Sequence, residues 1–175
     1  MIEIFDNLVP FIIRSHVYTF VTNSNYKLIG WNDRNDLELN HQHNLHSLWS
    51  LQDLKKSELT PYIEEALNKS KFKYTLNDFH NCNINVVSSN SVHYTHAHAV
   101  GTIALLYYVN LDWQHNWAGE TIFYDEDMKK VAFTSPYVPG RFIIFDNEPH
   151  SIRPQSTIGP KFRFTLTLLL KKDKK

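Results

Sequence analysis

The second half of the chain consists of short apolar and β-branched runs separated by turns rich in Asn, Asp, Gly and Pro. Alternation with a period of two is typical of strands whose two faces differ. Many short strands that follow helices favour a β-sandwich or jelly roll with helices packed on one face. The predicted strands are Lys71 to Leu76, Asn83 to Ser88, Val92 to His98, Thr102 to Asn110, Glu120 to Tyr124, Val131 to Thr134, Arg141 to Phe145, Ser151 to Pro154 and Phe162 to Leu170.

The last of these runs has the clearest alternation. Its apolar side chains all point one way and belong to the core, and they are Phe162, Phe164, Leu166, Leu168 and Leu170. Arg163, Thr165 and Thr167 point the other way. A polar face of this kind inside a β structure is what a ligand-binding barrel needs.

The first part of the chain predicts supporting helices. Ile2 to Phe5 alternates like a short strand, and Pro10 to Thr22 has apolar residues at helical spacing. A second helix is predicted from Thr60, as N-cap, to about Lys69, with Pro at its first turn. The polar stretch from Tyr26 to His46 has no clear period and is interpreted as a loop with one strand at Tyr26 to Trp31.

These patterns together predict one domain of the mainly β (α+β) class. Helical support occupies about residues 1–70, a β core occupies about 71–170, and Lys171 to Lys175 forms a solvated tail.

Composition limits the class of partner and the compartment. The 175 residues carry 18 basic and 18 acidic side chains, so bulk charge selects neither nucleic acid nor an anionic membrane. Cys82 is the single cysteine, which excludes an internal disulfide, and no apolar run approaches the roughly 18 residues of a membrane span. Without a leader-like start, the sequence predicts a cytoplasmic protein, and nothing in it indicates an oligomeric state.

Three histidines lie within six residues, and a fourth follows far along the chain. In a strand, His96 and His98 share one face, whereas His93 faces away. His150 precedes a strand and can close a metal site from a second segment, which leaves other metal positions open for chemistry. Three further histidines, in the polar loop, are interpreted as surface residues: His41, His43 and His46.

A set of motifs over about residues 83–170 resembles the catalytic half of the prolyl 4-hydroxylase-like group of Fe(II)/2-oxoglutarate-dependent dioxygenases. The motifs are Leu105 to Asn110, Trp113, Trp117 to Thr121, Pro139 to Phe145, Pro149-His150 and Arg163 to Thr165. The resemblance implies a double-stranded β-helix, a distorted jelly roll with supporting helices. It agrees with the strand pattern and is loose over the N-terminal third.

The resemblance also implies roles for individual residues. His96 and His150 match the family's two histidine ligands. Arg163 matches the basic residue that binds the distal carboxylate of 2-oxoglutarate, which Thr165 and Tyr108 would assist, although core packing explains Tyr108 equally well. A planar guanidinium suits this task because it can form two parallel hydrogen bonds to a carboxylate.

Other residues in the matching region are assigned lesser roles. Arg153 is an alternative carboxylate anchor, but its position favours a charge at the rim of the site. Trp113, Trp117 and Glu120 are expected to shape the neighbouring loop and strand without taking part in catalysis.

One position departs from the family pattern. The family has a carboxylate two residues after its first histidine, whereas this chain has His98. No other register supplies an acid, and Asp112 lies beyond the strand. Relatives that halogenate have a small residue there, so the imidazole disfavours halogenation. A neutral ligand leaves the metal centre one charge unit more positive and also suits Zn, Co or Ni.

The resemblance implies an Fe(II)- and 2-oxoglutarate-dependent oxygenase that uses O2, with ascorbate as a further candidate cofactor. A peptidyl proline or similar protein side chain is the expected substrate, by analogy alone. Two alternatives stay open. The chain could be a non-catalytic module that binds metal or 2-oxoglutarate, or a three-histidine dioxygenase that needs no 2-oxoglutarate, although the pair Arg163 and Thr165 argues against the latter.

Overall fold

The structure is a computed structural model that describes residues 1–30, 43–89, 91 and 93–172. Within these residues the helices are α1 (Phe11–Thr22), α2 (Leu51–Lys56) and α3 (Thr60–Lys69). The strands are β1 (Ile2–Phe5), β2 (Lys27–Gly30), β3 (His43–Leu48), β4 (Phe79–Ser88), β5 (His93–His96), β6 (Thr102–Tyr108), β7 (Thr121–Tyr124), β8 (Val131–Ser135), β9 (Phe142–Phe145), β10 (His150–Ile152) and β11 (Phe162–Lys171).

The strands form two antiparallel sheets. The larger sheet has the order β1-β9-β6-β11-β4-β3-β2, and the smaller has the order β5-β10-β7-β8. Strands that are distant in sequence are therefore neighbours in space. For example, β11 lies between β4 and β6. The predicted mainly β class with few helices is confirmed.

Strand β11 separates the apolar core from the polar interior. Leu166, Leu168 and Leu170 are fully buried and pack in one cluster with Val17 of α1 and Ile63 of α3. This core therefore lies between the larger sheet and the helices. The predicted alternation of β11 is confirmed, with Arg163, Thr165 and Thr167 on the opposite face.

A second apolar cluster joins the two sheets. Phe123 of β7 lies with its ring centroid 5.0 Å from that of Phe145 of β9, edge to face. Ala104, Leu106 and Ile143 pack in the same cluster. This cluster closes one half of the space between the sheets and leaves the other half, toward β4 and β5, free to form a cavity.

Both predicted helices are confirmed, with one change at an end. Leu59 is the N-cap residue of α3, so Thr60 is its first residue, and Pro occupies the first turn. Helix α2 was not predicted. Its N-terminus is closed by a capping box in which Ser50 and Asp53 each accept a hydrogen bond from the other's backbone N–H.

Eight of the nine strands predicted in the second half are confirmed. The prediction of a strand from Lys71 to Leu76 is wrong, because Thr75 and Asp78 form a capping box that begins a 3-10 turn there. Strand β2 confirms the strand expected near Tyr26, but β3 lies in the segment interpreted as loop. Strand β3 is held by pairing with β4 rather than by an apolar pattern of its own.

Residues 1–70 contribute β1, β2 and β3 to the larger sheet as well as the helices. The rest of the predicted polar loop, including His41, lies outside the described residues, as do Val92 and the end of the predicted tail. The described part of the chain contains no helix that is long and apolar enough to cross a membrane.

Replacement of Leu168 by Ala should lower the free energy of unfolding by about 2–5 kcal/mol, because a deleted buried side chain leaves a cavity. Chemical denaturation followed by circular dichroism measures the change. Ile158 is 71% exposed, so Ile158→Ala is the control and should change stability by less than about 0.5 kcal/mol. Equal stability of the two variants would contradict the assignment of this face to the core.

Candidate functional site

Strands β5 and β10 bring three histidines together. His96 lies directly opposite His150 in the antiparallel pair, and His98 follows β5 by two residues. One ring nitrogen from each of the three lies within 4.8 Å of the others. The ring centroids of His96 and His150 are 4.4 Å apart, and those of His98 and His150 are 5.1 Å apart.

The hydrogen bonds of these histidines suit metal binding. The Nδ1 of His150 lies 2.9 Å from the carbonyl oxygen of Glu148, and that of His96 lies 3.2 Å from the carbonyl oxygen of Tyr94. A ring that donates from Nδ1 keeps its lone pair on Nε2. The Nε2 of His98 is buried and has no hydrogen-bond partner among the described residues.

Burial keeps the three imidazoles neutral. It lowers the pKa of His96, lowers that of His98 to about 4, and lowers that of His150 well below its ordinary value. Neutral imidazole is the form that binds metal ions. Three neutral nitrogen donors on one side of a cavity fit a divalent metal such as Fe, Co, Ni or Zn.

The prediction that His93 faces away from the site is wrong. His93 pairs with Ile152, while His96 pairs with His150, so β5 has one more residue than β10 over this interval. The extra residue is a β-bulge, which shifts the alternation by one position. The ring of His93 consequently lies 4.9 Å from that of His96 and lines the same cavity.

Arg163 enters the cavity from β11 as a fully buried cation. Its Nε donates to the carbonyl oxygen of Gly119 at 2.9 Å, and its Nη1 and Nη2 donate to the hydroxyls of Thr165 at 2.5 Å and Thr121 at 3.2 Å. Burial lowers the pKa of the guanidinium, although an arginine stays charged in proteins. All three of these acceptors are uncharged.

Two tyrosines support Arg163 from one side. Its guanidinium carbon lies 5.1 Å from the ring centre of Tyr108 and 4.8 Å from that of Tyr137, and the two rings stack. The hydroxyls of Tyr108 and Thr121 are 2.6 Å apart. Tyr108 is therefore packed beneath the site, with its hydroxyl directed at Thr121.

The histidines and Arg163 line one cavity of about 320 Å³ between the two sheets. Thr165, one of the predicted co-substrate residues, also lines it. Sequence reasoning missed several polar lining residues, namely His46, Asn81, Asn83, Asn85 and Thr121. The three asparagines alternate along the sequence, a pattern that predicts a polar strand face. No pattern in the sequence indicates that Thr121 or His46 lines a cavity.

The remaining predicted residues lie outside the cavity lining. Arg153 is 62% exposed at its side chain and lies 3.4 Å from Glu120, as expected of a charge at the rim. Asp112 is exposed. The indole of Trp113 donates to the carbonyl oxygen of Ala118 and so shapes the loop before β7.

Among known proteins, only solved structures match this chain. The sequence matches no protein-family model and no curated protein. A prolyl-4-hydroxylase from Pseudomonas putida superposes with a TM-score of 0.68 at 12% identity, covering 98% of this chain and 92% of that one. The chain shares the fold of this prolyl-4-hydroxylase.

Two other solved structures support the same assignment of the fold. A prolyl hydroxylase from Trichoplax adhaerens, in complex with a peptide fragment of the hypoxia inducible factor oxygen degradation domain, has a TM-score of 0.62 at 18% identity, over 97% of this chain and 83% of that one. HygX from Streptomyces hygroscopicus, with nickel and 2-oxoglutarate bound, has a TM-score of 0.66 at 9% identity, over 97% and 82%.

The histidine cluster predicts one divalent metal ion per chain. Replacement of His150 by Ala should weaken the binding of Ni(II), measured by calorimetry, by at least about tenfold, because one of three donors is lost. His80 is exposed on β4, so His80→Ala is the control and should bind Ni(II) like the wild type. Equal weakening in both variants would count against the cluster.

The contacts of Thr121 predict a loss of stability in the isosteric variant Thr121→Val. Tyr108 and Arg163 would each lose a buried hydrogen-bond partner, which should lower the free energy of unfolding by about 1–3 kcal/mol. Thr134 is exposed on the neighbouring β8, and Thr134→Val is the matched control in chemical denaturation. A Thr121→Val protein as stable as this control would show that the hydroxyl is dispensable.

Proposed function

We propose that the chain is a 2-oxoglutarate- and Fe(II)-dependent oxygenase built on a double-stranded β-helix. His96, His98 and His150 would hold the metal, and Arg163 with Thr165 would bind the distal carboxylate of 2-oxoglutarate. The prolyl hydroxylase fold and the histidine cluster support this proposal. The assignment of 2-oxoglutarate to Arg163 depends on the charges of the cavity.

The observation that carries the proposal is that the buried charge of Arg163 forms no salt bridge with a described residue, and only the more distant Glu120 attracts it. A buried cation is costly unless it is paired with an anion. Arg163 is 1% exposed, its acceptors are neutral, and no acidic residue lines the cavity in the described part of the chain. A carboxylate that enters the cavity would supply the missing charge, and a guanidinium binds carboxylates with two parallel hydrogen bonds.

The two ends of the cavity suit the two ends of a 2-oxo dicarboxylic acid. A metal on the histidines would take the 2-oxo acid group, while Arg163 takes the far carboxylate. With Fe(II) bound, 2-oxoglutarate and O2 supply the oxidising chemistry, which yields succinate, CO2 and a hydroxylated substrate. The protein's own groups bind, orient and exclude water.

Individual residues divide these tasks. The carbonyls of Glu148 and Tyr94 hold the rings of His150 and His96 in the tautomer that leaves Nε2 for the metal. Phe145 lies 4.9 Å from the His150 ring and closes that side against water. Thr121 and Thr165 orient the guanidinium for a ligand.

His98 is the residue on which the proposed activity most depends. Its imidazole stands where the family has an anionic ligand, so a dicarboxylate should bind strongly to the more positive centre. A neutral ligand also stabilises oxidised metal less well, which lowers turnover relative to binding. The non-catalytic module is therefore the second candidate.

The substrate class follows by analogy from one neighbour. The prolyl hydroxylase from Trichoplax adhaerens was solved with a peptide fragment. A peptidyl proline or similar side chain of a protein or peptide is the leading substrate for this chain on the same basis.

The test measures succinate released from 2-oxoglutarate by protein loaded with Fe(II) in the presence of ascorbate. Arg163→Met should raise the KM for 2-oxoglutarate by at least about tenfold, because the charge and both hydrogen bonds are lost. Arg153→Met, at an exposed arginine of the rim, is the control and should leave the KM within about twofold.

Three results would separate the alternatives. Succinate that is independent of Arg163 would refute the assigned co-substrate site. No succinate from the wild type, with recovery in His98→Asp, would favour the non-catalytic module. Oxygen uptake without 2-oxoglutarate would favour the three-histidine dioxygenase that does not use it. Because Arg163→Met removes a buried anchor, Thr165→Val serves as a milder variant with an expected smaller rise in KM.

A further inference from the structure

Strand β4 presents a row of asparagines to the cavity. Asn81, Asn83 and Asn85 occupy alternate positions and line it, while Cys82 and Ile84 between them are fully buried in the core. Asparagine is depleted in strands because it packs poorly on a pleated surface. Three successive inward asparagines on an interior strand are a local conflict, and such conflicts occur at functional sites.

Most of the hydrogen-bonding capacity of this row is unused. The Nδ2 of Asn85 donates to the hydroxyl of Thr167 at 2.9 Å. No hydrogen bond joins the carboxamides of Asn81 and Asn83 to other described residues, and both side chains are half-buried at the cavity wall. Each carboxamide offers two donors and an acceptor. Purely structural asparagines would be expected to satisfy one another, as Asn85 does with Thr167.

The neighbours on β11 continue the same surface. Asn85 is paired with Thr165, Asn83 with Thr167 and Asn81 with Leu169. We name Asn81, Asn83, Asn85 and Thr167 the amide strip. It is uncharged, and no acidic residue lines the cavity among the described residues.

The co-substrate assigned above does not require this strip. Its distal carboxylate is matched by Arg163, Thr121 and Thr165, and its 2-oxo acid end by the metal on the histidines. A cavity of about 320 Å³ is of the size that takes a ligand larger than a five-carbon acid. The strip is therefore left for the second molecule of the reaction.

We propose that the amide strip binds the substrate, and that this substrate presents uncharged amide or hydroxyl groups to Asn81 and Asn83. The inference rests on the proposed function, since the strip shares its cavity with the metal and co-substrate site. Carboxamides pair equally with the N–H and C=O of a peptide and with the hydroxyls of a sugar. They favour neither a charged substrate nor one that offers only an apolar ring.

The test uses protein loaded with Zn(II) and 2-oxoglutarate, which is not expected to turn over. Two neutral probes are titrated by NMR: N-acetyl-prolyl-glycinamide for amides and myo-inositol for hydroxyls. At least one should bind, and Asn81→Leu and Asn83→Leu should each weaken it by about tenfold through lost hydrogen bonds. Asn68 is exposed on α3, so Asn68→Leu is the matched control and should bind like the wild type.

The affinity for 2-oxoglutarate is measured on the same variants. It should stay within about twofold in Asn81→Leu and Asn83→Leu, because the strip is assigned to the other molecule. A loss of 2-oxoglutarate affinity equal to the loss of probe affinity would assign the strip to the co-substrate and overturn the inference. Failure of both neutral probes to bind would overturn it as well.

These outcomes are separable from failure of the proposed function. If the wild type binds no 2-oxoglutarate, the proposed function fails, and the probes are then titrated against the Zn(II) protein alone. Binding of a neutral probe that depends on Asn83 would still support the strip. Binding of 2-oxoglutarate that depends on Arg163, with no dependence of either probe on Asn81 or Asn83, would refute the strip alone.

Discussion

The buried charge of Arg163 constrains much of the structure around it. The guanidinium is held by three uncharged oxygens and by the faces of Tyr108 and Tyr137. Gly119 is part of this arrangement. It adopts a φ of +81°, and a Cβ there would lie 2.9 Å from the Trp113 ring and 3.4 Å from the Arg163 side chain. The loop before β7, two tyrosines and one end of β11 are thus fitted to a single cation.

The histidine end of the cavity has the same electrostatic character. Its three candidate ligands are neutral, and the buried Nε2 of His98 has no hydrogen-bond partner among the described residues. A cation at the nitrogens and an anion at the guanidinium would each complement one end of the cavity. Between them the wall on β4 is polar but uncharged. This distribution of charge is compatible with the proposed binding of a metal ion, an acid and a substrate in one cavity.

The sequence predicted the parts of the fold that depend on local patterns. The alternation of β11 placed Leu168 in the core and Arg163 in the interior, and the helical spacing of apolar residues from Pro10 to Thr22 predicted α1. It failed where pairing decides the structure: β3 has no apolar pattern and exists because β4 offers an edge. The grouping of His96 with His150 was predictable from residue type, but Thr121 and His46 reach the cavity only through tertiary packing.

The bulge in β5 determines which spacing of histidines can face the cavity. His93 and His96, three residues apart, share a face only because β5 has one residue more than β10 between their paired positions. Loss of the bulge at the present length would turn one of the two imidazoles away from the cavity, whereas a deletion of one residue between them would place them at positions i and i+2, which share a face in a regular strand. A relative with one residue fewer in this segment can therefore keep both histidines in the cavity, and a one-residue gap there in an alignment does not by itself mark a differently built site.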